Sequence, residues 1–184
     1  MAHSVCPAER AWMLDNPLRS LLSRPNRLLK PHVRPGMTVL DVGCGPGFFT
    51  GVMAGLVGPE GTVIAADLQP EMLDLTKEKM IRKGLIDRVI LHKTALETLH
   101  LNESGFVDFA IGFHMVHEVP SPRTLFAEVF DCLKPGGTFL VSEPKGHVKT
   151  EEFSQEMMEA QAAGFLIMRE QNSLFEHQVL LKKP

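Results

Sequence analysis

The chain has 184 residues, of which 44% are hydrophobic and 22% are charged, and its net charge is −3. A chain of this length can bury one sizeable core, so a single domain is expected. The charge balance argues against nucleic acid or an anionic membrane as a partner, and no apolar run is long enough to cross a bilayer. Three scattered cysteines, and an N-terminus without the apolar core of a signal peptide, predict reduced thiols and a cytoplasmic location.

Residues 1–35 differ in composition from the rest of the chain. They contain five prolines, which limit helices to short pieces. Residues 16–40 carry five Lys or Arg side chains and no acid. One interpretation is a solvated helical segment laid over the edge of the following sheet. The other is a cap over the functional site, whose cations favour an anionic substrate.

From residue 36 onward, apolar runs typical of buried strands alternate with helical patterns. The predicted strands cover residues 38–42, 62–67, 89–92, 107–112 and 138–142. The predicted helices run from 46 to 56, from Pro70 to a stop near Gly84, from Pro122 after the N-cap Ser121, and from the N-cap Thr150 to a stop near Gly164. Residues 133–137 predict a turn, and residues 165–169 and 174–181 a hairpin. This alternation predicts an α/β fold with a mainly parallel sheet and helices on both faces.

The most informative stretch is residues 38–49. It is a buried strand followed by glycine at alternate positions, Gly43, Gly45 and Gly47, and then by the start of a helix. Such a loop lets a ligand lie against backbone, and the N–H groups at the helix start face that ligand. Asp67 ends the second strand, where a carboxylate can accept hydrogen bonds from both ribose hydroxyls. The pattern predicts a nucleoside-binding half-domain, although Asp67 could instead belong to a helix-capping turn.

Two residues argue against a dinucleotide as the ligand. Phe48 occupies the position where a dinucleotide site needs Gly or Ala for close packing of helix on strand. Asp41, two residues before the first glycine, would repel a pyrophosphate but suits a ligand that carries an ammonium or sulfonium.

With its downstream landmarks in order, this pattern resembles motif I of the class I (Rossmann-like) S-adenosylmethionine-dependent methyltransferases of the small-molecule type. The resemblance is strong over residues 36–145. It implies a doubly wound, mainly parallel seven-stranded sheet of order 3-2-1-4-5-7-6, with strand 7 antiparallel. Residues 1–35 are then an N-terminal helical cap segment, and residues 36–184 form the methyltransferase domain.

The resemblance implies that S-adenosylmethionine is bound by the glycine loop and by the ends of three further strands. The cofactor-binding residues expected from it are Asp41, Gly43, Cys44, Gly45, Pro46, Gly47, Phe48, Asp67, Leu68, Met72, Thr94, Ala95, Leu96, Gly112 and Phe113. Thr94 stands where the family commonly has an acid that binds the adenine amine, so the backbone N–H of Ala95 or Leu96 is the alternative donor. A role in the core is equally open for Met72, and Cys44 is expected to be a small loop filler rather than a nucleophile.

His114 and His117 are the candidate catalytic residues. A histidine there can take a proton from the acceptor as the methyl group transfers, or it can merely brace the next helix. Residues 112–115 read Gly-Phe-His-Met and lack the Asn/Asp-Pro-Pro-Tyr/Phe tetrad, which counts against methylation of DNA, rRNA or release factors. The histidines do not have the H-E-x-x-H spacing, and no metal site is predicted.

The sequence therefore predicts a transferase that moves a methyl group from S-adenosylmethionine to a small soluble acceptor by in-line displacement. A nicotinamide-dependent oxidoreductase and a non-catalytic nucleoside-binding module are the alternatives. The acceptor, the atom methylated and the oligomeric state stay open.

Overall fold

The structure, a computed structural model, describes residues 25–101, 103–171 and 173–184. These residues fall into two compact units, one ending at Thr94 and the other running from Ala95 to Pro184. Most of the predicted cap segment, residues 1–24, lies outside the described residues, and residues 25–29 form a short helix, α1 (Pro25–Leu29). The division into a cap segment and a single methyltransferase domain stays a prediction.

The first unit alternates strands and helices after α1. Its elements are β1 (Thr38–Val42), α2 (Phe48–Val57), β2 (Thr62–Asp67), α3 (Pro70–Arg82), a 3-10 turn (Ile86–Arg88) and β3 (Val89–Lys93). β2 pairs in parallel with β1 on one side and with β3 on the other. Pro70 opens α3, where a missing N–H costs nothing. The predicted start of α2 at Pro46 is wrong by two residues, because Gly47 adopts a left-handed φ of 74° and the helix begins after it.

The second unit continues the alternation and closes with a hairpin. Its elements are β4 (Val107–Phe113), a 3-10 turn (Val116–Glu118), α4 (Pro122–Cys132), β5 (Leu133–Pro144), α5 (Thr150–Ala162), β6 (Leu166–Glu170) and β7 (Glu176–Lys182). β4 and β5 are parallel, whereas β7 runs antiparallel to both β5 and β6. The seven strands follow the order β3-β2-β1-β4-β5-β7-β6, so the predicted α/β fold, strand order and antiparallel strand 7 are confirmed.

Two local predictions in the second unit are wrong. The turn expected at residues 133–137 is a bulge inside β5: Val107 pairs with Leu133 but Phe109 pairs with Thr138. The backbone of Lys183, just after β7, exchanges hydrogen bonds with Gly136 and Gly137, which keeps this bulge attached to the neighbouring strand. Further along, the N-cap of α5 is Lys149 rather than Thr150, and the Lys149 N–H is satisfied by the Glu152 carboxylate at 2.9 Å.

The hydrophobic core lies along the central strands of the sheet. The central strands are buried along nearly their whole length, as expected where helices cover both faces. Their largest fully buried side chains include Leu40, Phe109 and Phe139. No helix in the described ranges combines the length and the apolar character that a bilayer crossing requires.

Candidate functional site

The glycine loop has the conformation that its composition requires. Gly43, Gly45 and Gly47 have φ values of 69°, 53° and 74°, which side chains with a Cβ rarely adopt. The N–H groups of Gly43 and Cys44 both donate to the Ala66 carbonyl, at 2.9 and 3.0 Å. The loop is therefore fastened to the end of β2, one residue before Asp67.

Helix α3 braces the same loop from its other side. The Thr76 hydroxyl donates to the Gly45 carbonyl at 2.8 Å, and the Lys79 ammonium lies 3.4 Å from the Pro46 carbonyl. A Cβ on Gly47 would approach Thr76 Oγ1 to 2.8 Å, so only glycine fits there. Sequence reasoning missed Thr76, although a threonine on the buried face of a helix was an available signal.

The Asp67 carboxylate is held in one orientation by backbone donors. Oδ2 accepts the Gly45 N–H at 2.8 Å, and Oδ1 accepts the Gln69 N–H at 2.9 Å. Asp67 is 7% exposed. Burial raises its pKa above the ordinary value, while the N–H groups of Gln69, Gly45 and Leu68 favour the ionised form. A carboxylate has about four acceptor positions, so these three backbone donors still leave room for a ligand hydroxyl.

Asp41, just before the loop, and Cys44, within it, are both buried. Asp41 Oδ2 accepts the Thr50 hydroxyl at 2.6 Å. Cys44 packs against Ala65 and Leu73. Burial, reinforced by the charge of Asp41, raises the pKa of the Cys44 thiol well above its ordinary value. A protonated, enclosed thiol is a packing group, in agreement with its expected role as loop filler.

The candidate adenine-binding residues differ in how accessible they are. Met72 is 1% exposed and belongs to the core, whereas Leu68 and Phe48 are half-buried. The Thr94 N–H donates to the Asp67 carbonyl at 3.0 Å. In the second unit, the Ala95 N–H donates to the Thr98 carbonyl at 2.9 Å, which leaves the Leu96 amide as the alternative expected from the sequence.

Gly112 and Phe113 end strand β4. A Cβ on Gly112 would approach the Phe139 ring to 3.2 Å and the Met115 sulfur to 3.3 Å, so the close packing of β4 needs a glycine. Phe113 is 9% exposed, and its ring stacks on the His114 ring with centroids 4.2 Å apart.

His114 is held by a residue that sequence reasoning missed. Its Nε2 lies 2.7 Å from the Glu176 carboxylate at the start of β7, and the Ser142 hydroxyl donates to the same oxygen at 3.2 Å. The His114 backbone has a φ of 59°, an uncommon value for a residue with a side chain. No local pattern links residues 114 and 176, because they meet only through the pairing of β5 with β7.

His117 is paired with a second glutamate, Glu143, through Nδ1. Glu143 is fully buried in β5, and its other oxygen accepts the N–H groups of Met115 at 3.1 Å and of Val116 at 2.8 Å. Burial lowers the pKa of His117, but the hydrogen bond and charge of Glu143 outweigh it, so the net pKa is raised. His117 therefore favours the imidazolium form, and Glu143 anchors the turn that carries it.

A third acid, Glu156 on α5, is buried without full hydrogen bonding. It is 7% exposed, and its Oε2 has no hydrogen-bond partner among the described residues. Burial, followed by the charge of Glu143, raises the pKa of Glu156 to about 8, so it carries a proton at neutral pH. Within the described ranges, no three His, Cys, Asp or Glu side chains are placed to hold a metal ion.

Comparison with known proteins gives a family and several relatives. The model of a family described as a methyltransferase domain matches residues 33–179. A demethylmenaquinone methyltransferase of Symbiobacterium thermophilum is 34% identical over 112 residues, covering 61% of this chain and 44% of the relative. A ubiquinone/menaquinone biosynthesis C-methyltransferase of a Marinomonas species is 32% identical over 139 residues, covering 71% and 55% respectively. The chain thus spans about half the length of the curated relatives it matches.

Among solved structures, a SAM-dependent methyltransferase from Aquifex aeolicus superimposes with a TM-score of 0.87. The two sequences are 27% identical, and the match covers 98% of this chain and 100% of the other. The similarity between the two proteins therefore extends over the whole fold rather than over the glycine loop alone.

Proposed function

This chain belongs to the methyltransferase domain family, and on that premise we propose that it transfers a methyl group from S-adenosylmethionine to a small-molecule acceptor. The observation that carries the proposal is the Asp67 carboxylate, held by the Gly45 N–H at 2.8 Å with acceptor capacity to spare. The cofactor supplies a methyl group on a positively charged sulfur that is already a good leaving group. The protein's part is then alignment and the exclusion of water.

The residues of the first unit fit the nucleoside part of that cofactor. Gly43 and Gly45 have positive φ and add no Cβ to the loop surface, and Asp67 offers an oriented carboxylate to a diol. The half-buried side chains of Leu68 and Phe48 provide apolar contact for the adenine. Met72 is proposed with them, although only 1% of it is exposed. The proposed loop contacts are those expected from the sequence: Asp41, Gly43, Cys44, Gly45, Pro46, Gly47 and Phe48.

The ends of strands β3 and β4 supply the remaining proposed cofactor contacts. Thr94 and the Leu96 amide are assigned to the adenine, and Gly112 and Phe113 to the methionine part. His114 and His117 are assigned to the acceptor. Each of these assignments rests on the position of the residue at or just past the carboxyl end of a parallel strand, where α/β sheets bind their ligands.

The acceptor is proposed from the relatives' names. Two relatives are named for methylation in quinone biosynthesis, so a demethylated quinol is the first acceptor to try. A cytoplasmic location and the absence of a nucleic-acid partner stay predictions. Family membership argues against the nicotinamide-dependent alternative, and the absence of turnover with any acceptor would favour a non-catalytic module.

Binding of S-adenosylmethionine by Asp67→Asn tests the proposal. Loss of a charge-assisted contact to the diol should weaken the affinity measured by calorimetry about 10- to 100-fold. Asp74→Asn is the matched control, since Asp74 is exposed on α3, and it should bind as the wild type does. Circular dichroism verifies that both variants are folded. Equal affinity in Asp67→Asn would remove the ribose assignment, and a wild-type protein that does not bind S-adenosylmethionine would overturn the proposed function.

A further inference from the structure

His114 is held in a backbone conformation that costs free energy. Its φ of 59° lies in the left-handed region, which is unfavourable for a residue with a Cβ. The conformation persists because the His114 N–H donates to the Ser142 carbonyl at 2.8 Å. The imidazole also stacks on Phe113. Both backbone and ring are therefore fixed by neighbouring strands.

The contact with Glu176 selects one tautomer of the His114 ring. An ionised carboxylate can only accept hydrogen bonds, so at 2.7 Å the Nε2 atom must carry the proton. In the neutral ring the other nitrogen, Nδ1, is then unprotonated and able to accept a proton. The side chains of His114 and Glu176 are 30% and 22% exposed, so the pair is reachable from solvent.

Glu176 is itself held in place by a chain of hydrogen bonds. The Ser142 hydroxyl donates to Glu176 Oε2 at 3.2 Å, and Gln178 Nε2 donates to the Ser142 oxygen at 3.2 Å. Ser142 is fully buried, and its residue pairs with Gln178 across β5 and β7. This arrangement of an oriented ring, a carboxylate and a supporting hydroxyl is what a general base requires.

The second pair, His117 with Glu143, has a different character. Glu143 is completely buried and also binds two backbone N–H groups of the 115–118 segment. Its carboxylate raises the pKa of His117, and a charged imidazolium has no nitrogen that can accept a proton. The His117–Glu143 pair thus holds the segment in shape, and the His114–Glu176 pair, whose carboxylate is the more exposed of the two, is the one suited to proton transfer.

We propose that His114 accepts the acceptor's proton through Nδ1 and that Glu176 is its positioning residue. The inference rests on the proposed methyltransferase function. It implies an acceptor with an O–H, N–H or C–H group that loses its proton on methylation. The proton passes to Nδ1 as the acceptor atom bonds to the methyl carbon, the C–S bond breaks with its electron pair remaining on sulfur, and the imidazolium then releases the proton to water.

The first test is the protonation pattern of the His114 ring in the ¹⁵N-labelled full chain. Long-range ¹H–¹⁵N correlation spectra at a pH where the ring is neutral should give a protonated Nε2 and a bare Nδ1, assigned by the signal missing in His114→Asn. The Nε2 proton should exchange with water at least about tenfold faster in Glu176→Ala. Glu170→Ala, an exposed acid on β6, is the matched control and should leave the exchange unchanged. A neutral ring protonated at Nδ1, or equal exchange in Glu176→Ala and the wild type, would overturn the proposal.

The second test is kinetic, with labelled S-adenosylmethionine and a demethylmenaquinol as the probe acceptor. His114→Asn should lower kcat about 100-fold or more, and Glu176→Ala about tenfold or more, with S-adenosylmethionine affinity unchanged. His100→Asn is the control, because His100 is exposed and has a similar φ of 53°. An unchanged kcat in His114→Asn would reject the base. Should the wild type fail to bind S-adenosylmethionine, the proposed function falls while the tautomer result stands, so the two failures are distinguishable.

Discussion

Replacing Glu156 with Gln should stabilise the protein at alkaline pH and have little effect at acidic pH. The pKa of this acid rises from 4.5 to about 8 on folding, because the carboxyl is buried near Glu143. Between those two pH values the unfolded chain has released the proton and the folded protein has kept it. The unfolded state therefore binds fewer protons, and stability falls as the pH rises.

The size of the effect follows from the same two values. Each pH unit in that window costs the folded protein about 1.4 kcal/mol, or up to about 5 kcal/mol by pH 8. A glutamine side chain does not ionise in this pH range. The difference in unfolding free energy between Glu156→Gln and the wild type should therefore grow by about 1.4 kcal/mol per pH unit from pH 4.5 to 8 and stay level above that.

Urea unfolding followed by circular dichroism at half-unit steps from pH 4.5 to 9 measures this difference. Glu159→Gln is the matched control, because Glu159 lies on the same helix and is less buried than Glu156. Its unfolding free energy plotted against pH should run parallel to that of the wild type. If the unfolding free energy of Glu156→Gln also ran parallel to that of the wild type, the reasoning would be refuted, since Glu156 would then hold no extra proton in the folded state.

Two further predictions concern the glycine loop and the buried thiols. Gly47→Ala should lower the unfolding free energy by about 1–3 kcal/mol, because φ is 74° and the new Cβ meets Thr76 Oγ1 at 2.8 Å. Gly55→Ala in helix α2, where nothing lies within 4 Å of the added Cβ, should instead raise the unfolding free energy by up to about 1 kcal/mol; equal losses in both variants in urea unfolding would contradict the explanation. In a variant without the N-terminal cysteine, a thiol reagent should label Cys44 and Cys132 only after unfolding, since both are buried and burial raises the pKa of Cys132 to about 12. Labelling of the native protein at the rate of a free thiol would argue otherwise.

Much of the first unit was predictable because its signals are local. The bounds of β1 and β2 match the sequence prediction, since a buried parallel strand is a nearly continuous apolar run. Glycines at alternate positions predicted a loop, and all three have the positive φ that glycine tolerates. The prediction placed α2 two residues early, because helical periodicity does not register one left-handed residue at Gly47.

The contacts of the two histidines could not be predicted in this way. Glu176 lies 62 residues from His114, and Glu143 lies 26 residues from His117. Both glutamates are brought to their partners by strands β5 and β7, whose residues Glu143 and Pro144 pair with His177 and Glu176. Sequence spacing does not encode that register, because antiparallel pairing depends on turn geometry and on which face is buried.

Sequence by itself determined the alternation of elements, the need for glycine in the loop and the acid at the end of β2, because these follow from chain stereochemistry and apolar periodicity over a few residues. Only the tertiary structure decided that His114 pairs with a partly exposed glutamate and that His117, whose pKa is raised, pairs with a fully buried one. That difference arises from burial and from the carboxylate each ring meets across the sheet, and both are properties of packing between distant segments.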